Sequence, residues 1–224
     1  MDLQQKSILI SWFIKSIIWG EIMKIIDISK DVMSCEVYPG DPTPSLKKVK
    51  TIDDTNAYNL SEINMCLHNG THMDAPLHFL PNGNDITEFD PEVFMGPCVV
   101  VEVKEEFITG AFVEEYFPRN ATRILIKSHG KSVLHESAAS ELSHMGYVLV
   151  GTDGMTVEPE GSDGRTHRMF MVDNIALLEN LDLENVEPGK YFLVAAPIKI
   201  SGAEASPVRA MLVSDFIFWS GEQK

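Results

Sequence analysis

The chain has 224 residues, enough for one domain with a sizeable core. Apolar residues make up 44% and charged residues 23%, the balance of a soluble globular protein rather than a disordered or fibrous one. A net charge of −15 argues against nucleic acid and anionic membranes as partners, because both attract basic surfaces.

In chain order, residues 1–22 stand apart. Ile8 to Trp19 is largely apolar, but Lys15 interrupts it and it is too short to span a bilayer. It also lacks the small-residue cleavage site of a secretory signal. Met23-Lys24-Ile25-Ile26-Asp27-Ile28 opens a clean strand-like run. The codons of Gly20-Glu21 can resemble a bacterial ribosome-binding site just upstream of it. Translation is therefore expected to start at Met23, with residues 1–22 an upstream extension. The competing reading is an amphipathic N-terminal helix that docks on a partner or on the domain. Val37-Tyr38-Pro39-Gly40-Asp41-Pro42 is a loop by its Pro and Gly content. Cys35, Cys66 and Cys98 are odd in number and lack CxxC spacing, so no disulfide framework is expected and a reducing cytoplasm fits. Cys66 reads as a small buried hydrophobe rather than a ligand.

Ser61 to Leu67 reads as a strand leading into His68-Asn69-Gly70-Thr71-His72-Met73-Asp74-Ala75-Pro76-Leu77-His78. His68, His72, Asp74 and His78 share one parity, so on an extended backbone they point to one side. At ~3.3 Å per residue a straight strand would spread them over about 33 Å, so the chain must bend for them to meet. Gly70 and Pro76 supply the bends. Imidazole and carboxylate together form a ligand set for zinc or a similar divalent ion. The zinc-protease pattern His-Glu-x-x-His is absent, so any such site has a different architecture.

Further along, Pro81-Asn82-Gly83-Asn84 is a turn and Asp90-Pro91-Glu92 starts a short helix. Pro97 to Val103, Arg123 to Lys127, Tyr147 to Val150, Ile175 to Leu178 and Tyr191 to Ala196 are apolar strands, with Pro207 to Val213 as a last one. Gly110 to Phe117 and Val133 to Met145 carry helical spacing. Strands mixed with a few short helices indicate an α/β or α+β domain without repeats or linkers. The charged, Gly-rich loop from Glu158 to Arg165 is the candidate mobile edge of a pocket. His129, His135 and His144 show no companion carboxylate at a convincing offset and read as non-ligands. His167 follows the Gly-rich loop. Glu179 ends an apolar strand, where it is either a surface strand end or a buried carboxylate paired to an ion.

The chain resembles the metal-dependent cyclase/hydrolase family that includes bacterial kynurenine formamidase. The family signature His-x-Gly-Thr-His-x-Asp-x-Pro-x-His is matched at every fixed position by residues 68–78. Ile26-Asp27-Ile28-Ser29, Tyr38-Pro39-Gly40-Asp41, Val150-Gly151-Thr152-Asp153, Thr166-His167, Leu178-Glu179-Asn180-Leu181 and Ser206-Pro207-Val208-Arg209-Ala210 extend the likeness from about Met23 to near the C-terminus. The resemblance implies an α/β fold of the swivelling β/β/α type, two sheets with a helical layer, as a single domain over residues 23–224. It implies that His68, His72 and Asp74 are metal ligands. His167 and Glu179 then complete a second site, with Asp74 bridging and His78 handling protons. Two zinc ions per subunit are implied, with manganese as the alternative, and a homodimer or higher homo-oligomer acting on a small-molecule substrate.

The reaction so implied uses a metal-bound hydroxide to cleave an amide or formamide bond, with His78 delivering a proton to the leaving nitrogen. Arylformamidase, which converts N-formylkynurenine to kynurenine and formate in tryptophan catabolism, is the leading activity. Tyr38 stands where formamidases of this family often carry Trp. A lactone, cyclic amide or isatin-like ring hydrolase with the same centre is the enzyme alternative. A non-catalytic metal-binding protein is the alternative from another class.

Overall fold

The structure, a computed structural model, describes residues 24–159 and 161–214. Residues 1–22, with both readings made of them, lie outside the described residues. A mixed sheet of nine strands runs in the order β1-β13-β11-β5-β7-β9-β10-β4-β12. Its strands are β1 (Lys24–Asp27), β4 (His72–Asp74), β5 (Met95–Glu102), β7 (Arg123–Lys127), β9 (Leu149–Thr152), β10 (Ala176–Glu179), β11 (Gly189–Val194), β12 (Ala205–Pro207) and β13 (Met211–Ser214). The central run β5-β7-β9-β10 is parallel and the flanking pairs are antiparallel.

Side-chain alternation divides the interior into two cores. On β7, Ile124 and Ile126 join one cluster and Leu125 the other. On β10, Leu177 opposes Ala176 and Leu178 in the same way. A strand buried on both faces needs a continuous apolar run, as these central parallel strands have. One core is capped by α1 (Gly110–Tyr116), α2 (Glu136–His144) and α3 (Arg165–Val172), which contribute Val113, Leu142 and Phe170. The other core gathers Ile28, Met73, Leu125 and Leu212 from both ends and the middle of the sheet. The sheet therefore curls over on itself, and a bridge between Ser29 and Leu181 ties the segment after β1 to the segment after β10. The two sheets expected from the family are the two halves of this one curled sheet.

Several elements differ from the sequence reading for physical reasons. Val133 to Met145 is not all helix: Val133–Leu134 forms β8 beside β6 (Phe107–Ile108), and His135 then caps α2 with its imidazole. Pro207 to Val213 is two strands, β12 and β13, separated at residues 208–210. The helix suggested at Asp90-Pro91-Glu92 is a single 3-10 turn, Pro91–Val93. Cys66 is half-buried rather than buried.

Among the described residues, β2 (Ser45–Lys50) pairs only with β3 (Leu60–Asn64), as a separate hairpin. Leu46, Ile52, Leu60 and Ile63 on it and its connection are between 44% and 60% exposed. Every residue of β2 except Lys50, and every residue of β3, is exposed, so the hairpin carries no buried face of its own. Among the described residues, no helix is long and apolar enough to cross a membrane.

Candidate metal centre

The stretch 68–78 bends where its Gly and Pro stand. Gly70 has φ +72°, in the left-handed region, and a Cβ there would press on Val32. The chain then runs straight only for the three residues of β4 before Pro76–His78 turns once as a 3-10 helix. β4 lies between β10 and β12, so all three of its residues are buried. His72 and Asp74 share one face of β4, and Glu179 of β10 is the register partner of His72. Thr71 fastens the approach: its hydroxyl donates to the Asn180 carbonyl at 2.7 Å and accepts from the Lys30 amide at 2.9 Å.

These elements bring ligand-type atoms close together. Asp74 Oδ1 lies 2.9 Å from His68 Nδ1 and 3.3 Å from His72 Nε2. His72 Nε2 is 3.5 Å from Glu179 Oε2, and Glu179 Oε1 is 3.4 Å from His167 Nε2. Two triads result, His68-Asp74-His78 and His72-Asp74-Glu179, with Asp74 common to both. The short distances are not hydrogen bonds. Neither oxygen of Asp74, nor Nε2 of His72, is hydrogen-bonded, although all are buried. His72 Nδ1 is 3.0 Å from the Gly70 carbonyl, which only accepts, so Nδ1 carries a proton and Nε2 is the atom directed inward. Buried polar atoms without partners are rare and costly. Two orphaned carboxylate oxygens facing imidazole nitrogens across a shared space fit one or two divalent ions of the zinc or manganese kind.

The electrostatics of the metal-free protein follow from the same packing. Burial alone would lower the pKa of His68 and His72, but the Asp74 carboxylate overrides it and raises both, His72 well above the ordinary value. Burial would raise Asp74, yet the two imidazoles hold it well below the carboxylate range. Burial and the Asp74 charge push Glu179 up, while His167 and His72 bring it below its ordinary value. His167, also depressed by burial, is lifted to about 10 by Glu158 and Glu179. Ligand imidazoles must shed their protons to bind an ion. Zinc titrated into metal-free protein at pH 7, in buffers of different ionisation enthalpy, is thus expected to release about one proton or more per ion. Zinc binding without proton release would show that these histidines are already neutral.

His167 arrives on α3, an element the sequence reading missed because Gly161, Gly164 and several charges make its approach look like loop. Gly164 begins α3 in the left-handed region (φ +74°), and a Cβ there would run into the Phe79 ring. Phe79 in turn stacks on His167, ring centroids 4.5 Å apart and 25° between planes. His78 faces the same space, its ring 4.2 Å from that of His68 and 6.0 Å from that of His167. Burial, with the neighbouring His68 and His167, lowers the pKa of His78 against the pull of Asp74, so it is neutral at neutral pH.

All six residues singled out by sequence, His68, His72, Asp74, His78, His167 and Glu179, therefore converge. Glu179 is buried, not a surface strand end. His129, His135 and His144 lie elsewhere and form no such group among the described residues. Two further carboxylates went unnoticed in the sequence. Glu204 Oε1 stands 3.4 Å from His68 Nε2, and Glu158 lies 2.9 Å from His167 Nδ1. Only position in the fold distinguishes them from solvated surface acids.

The cluster opens into a cavity of about 290 Å³, edged by Tyr38, Asp41, Met155 and residues of the 158–164 loop. Among the described residues it is lined by acids, Glu36 and Asp41 included, and by no Lys or Arg.

Comparison with known proteins gives the family and the fold. A family model described as "Putative cyclase" matches residues 26–159. A kynurenine formamidase from Bacillus anthracis is 32% identical over 202 residues, covering 84% of this chain and 97% of the relative. The solved structure of a predicted metal-dependent hydrolase from Bacillus stearothermophilus is 27% identical, with a TM-score of 0.73 over 85% of this chain and 98% of the other. Isatin hydrolase A from Labrenzia aggregata shares the fold at 19% identity, with a TM-score of 0.76 over 91% and 98% of the two chains. With the signature of residues 68–78 folded around one buried carboxylate and the likeness spanning most of the polypeptide, the chain belongs to the cyclase family of metal-dependent hydrolases.

Proposed function

We propose that this protein is a metal-dependent hydrolase of amide-type carbonyls, with arylformamidase as its activity. The observation that carries the reading is Asp74, fully buried at the junction of two ligand triads with both oxygens free of hydrogen bonds. His68, His72, Asp74, His167 and Glu179 would hold the ions, two zinc per subunit with manganese as the alternative, and Asp74 is the donor the two triads have in common. The chemistry supplied on metal binding is Lewis acidity, which polarises a carbonyl and acidifies water.

The chain's own residues do the rest. His78, neutral at working pH and facing the cavity, takes up a proton on its imidazole and returns it to the departing nitrogen. Phe79 and Met155 give the cavity an apolar wall for an aromatic ring. Glu36 and Asp41 at its edge suit the ammonium group of an amino-acid substrate such as N-formylkynurenine. The exposed apolar residues of the β2–β3 hairpin support a homo-oligomer, in which they would be covered.

A cyclic amide of the isatin type is the second reading. The absence of Lys and Arg from the described lining favours it, since isatin carries no carboxylate to be paired. Assay of the chelated and the zinc- or manganese-restored enzyme on N-formylkynurenine and isatin tests both. Activity lost on chelation, regained with metal and higher on the formamide is the expected result. Preference for isatin selects the second reading, and metal-loaded protein inactive on both and on simple esters and lactones overturns the hydrolase.

A further inference from the structure

Glu158 is the buried acid that this mechanism leaves without a task. It sits in the loop between β9 and α3, 4% exposed. Its Oε1 accepts from the His167 backbone N–H at 2.6 Å and lies 2.9 Å from His167 Nδ1. Its Oε2 accepts from the Ser162 hydroxyl. A carboxylate desolvated this far is costly unless such bonds are made. Here both oxygens are engaged as acceptors, Oε1 by the His167 amide and Oε2 by the Ser162 hydroxyl.

The two bonds to His167 serve different ends. The amide of His167 belongs to the first turn of α3, where backbone donors lack intrahelical partners, and Gly164 offers no side-chain cap. Glu158 supplies the missing acceptor from a neighbouring loop and places negative charge at the helix start. The bond to Nδ1 acts on the ring. A carboxylate whose two oxygens already accept from an amide and a hydroxyl is an acceptor, so Nδ1 carries the proton, and the lone pair of a neutral ring then falls on Nε2. Nε2 is the nitrogen that faces Glu179 Oε1 at 3.4 Å. Because one oxygen binds both the backbone and the ring of the same residue, the imidazole is fixed in tautomer and in direction together. Phe79, stacked on its face, removes the remaining rotation.

We propose that Glu158 is a positioning residue that holds His167 as the Nδ1–H tautomer with Nε2 directed at the metal centre. The proposal rests on the metal-dependent reading above. Outer-shell partners of this kind change metal affinity by about 10–100-fold when removed. A mere helix cap would change stability and leave affinity alone.

The test uses zinc alone with the full chain, in chelator competition, on wild type, Glu158→Ala and Glu158→Gln. Imidazole nitrogen NMR of the zinc-loaded proteins reports the His167 tautomer. In wild type, Nδ1 is expected protonated and Nε2 bound. Glu158→Ala should weaken the less tightly held zinc by about 10–100-fold and broaden or shift the His167 signals. Glu158→Gln, which retains an acceptor oxygen, should fall between the two. Wild-type zinc affinity and an unchanged His167 spectrum in the variants, whether or not unfolding temperature drops, would overturn the proposal. If Glu158→Ala fails to fold, the isosteric Glu158→Gln decides on the same two readouts. Wild-type protein that binds no zinc or manganese overturns the metal reading itself, a failure distinct from an unperturbed variant of a zinc-binding enzyme.

Discussion

His78→Ala is expected to lower turnover by about 10²–10⁴-fold, the range for loss of a general acid–base group, while metal content stays at the wild-type value. His78 is half-buried in the cavity wall, and burial with two neighbouring histidines keeps it neutral. A neutral imidazole can accept a proton, and its conjugate acid can protonate a poor leaving group such as an amide nitrogen. The sign of the pH dependence follows. The active form is the unprotonated one, so the wild-type rate should fall as pH drops through a pKa below 6.5, and this acidic limb should vanish in the variant. The same imidazole belongs geometrically to the His68-Asp74-His78 triad, so a ligand role is a definite competitor. Elemental analysis separates the two: loss of an ion in parallel with activity would make His78 a ligand.

Asp74→Ala is expected to empty both sites. The carboxylate is common to the two triads, so its removal takes a donor from each. Metal assistance contributes several kcal/mol to transition-state stabilisation, so activity should fall by about 10³-fold or more. The metal-free fold should also suffer. Asp74 raises the pKa of His68 and His72 against their burial, and removing one partner of a buried ion pair costs about 3–5 kcal/mol. Metal analysis and denaturant unfolding of the variant check both claims. Retention of one ion at full affinity would rule out bridging by Asp74.

What could be read from the sequence is what the chain encodes locally. The His68–His78 spacing, the bends at Gly70 and Pro76, and the apolar runs of β5, β7, β9 and β10 all depend on neighbours within a few residues. The existence of β4 does not. Three residues become a strand only because β10 and β12 lie on either side. α3 was hidden by its Gly-rich approach, and its buried residues include Thr166 and His167, polar types that blur an apolar stripe. β2 was hidden by its lysines. Glu179 was ambiguous until its burial was known, and Glu158 was invisible, since an acid in a charged loop reads as solvated.

The placement of β4 against β10 also bears on the thermodynamics of the apoprotein. Asp74 and Glu179 are separated by about 100 residues of chain, a loop whose closure entropy is paid in every folding event. Ions held by both residues would act as a removable cross-link over that loop. The loaded protein would then owe part of its resistance to unfolding to the same atoms that perform its chemistry, and metal starvation would expose the polypeptide to heat and proteases along with silencing it.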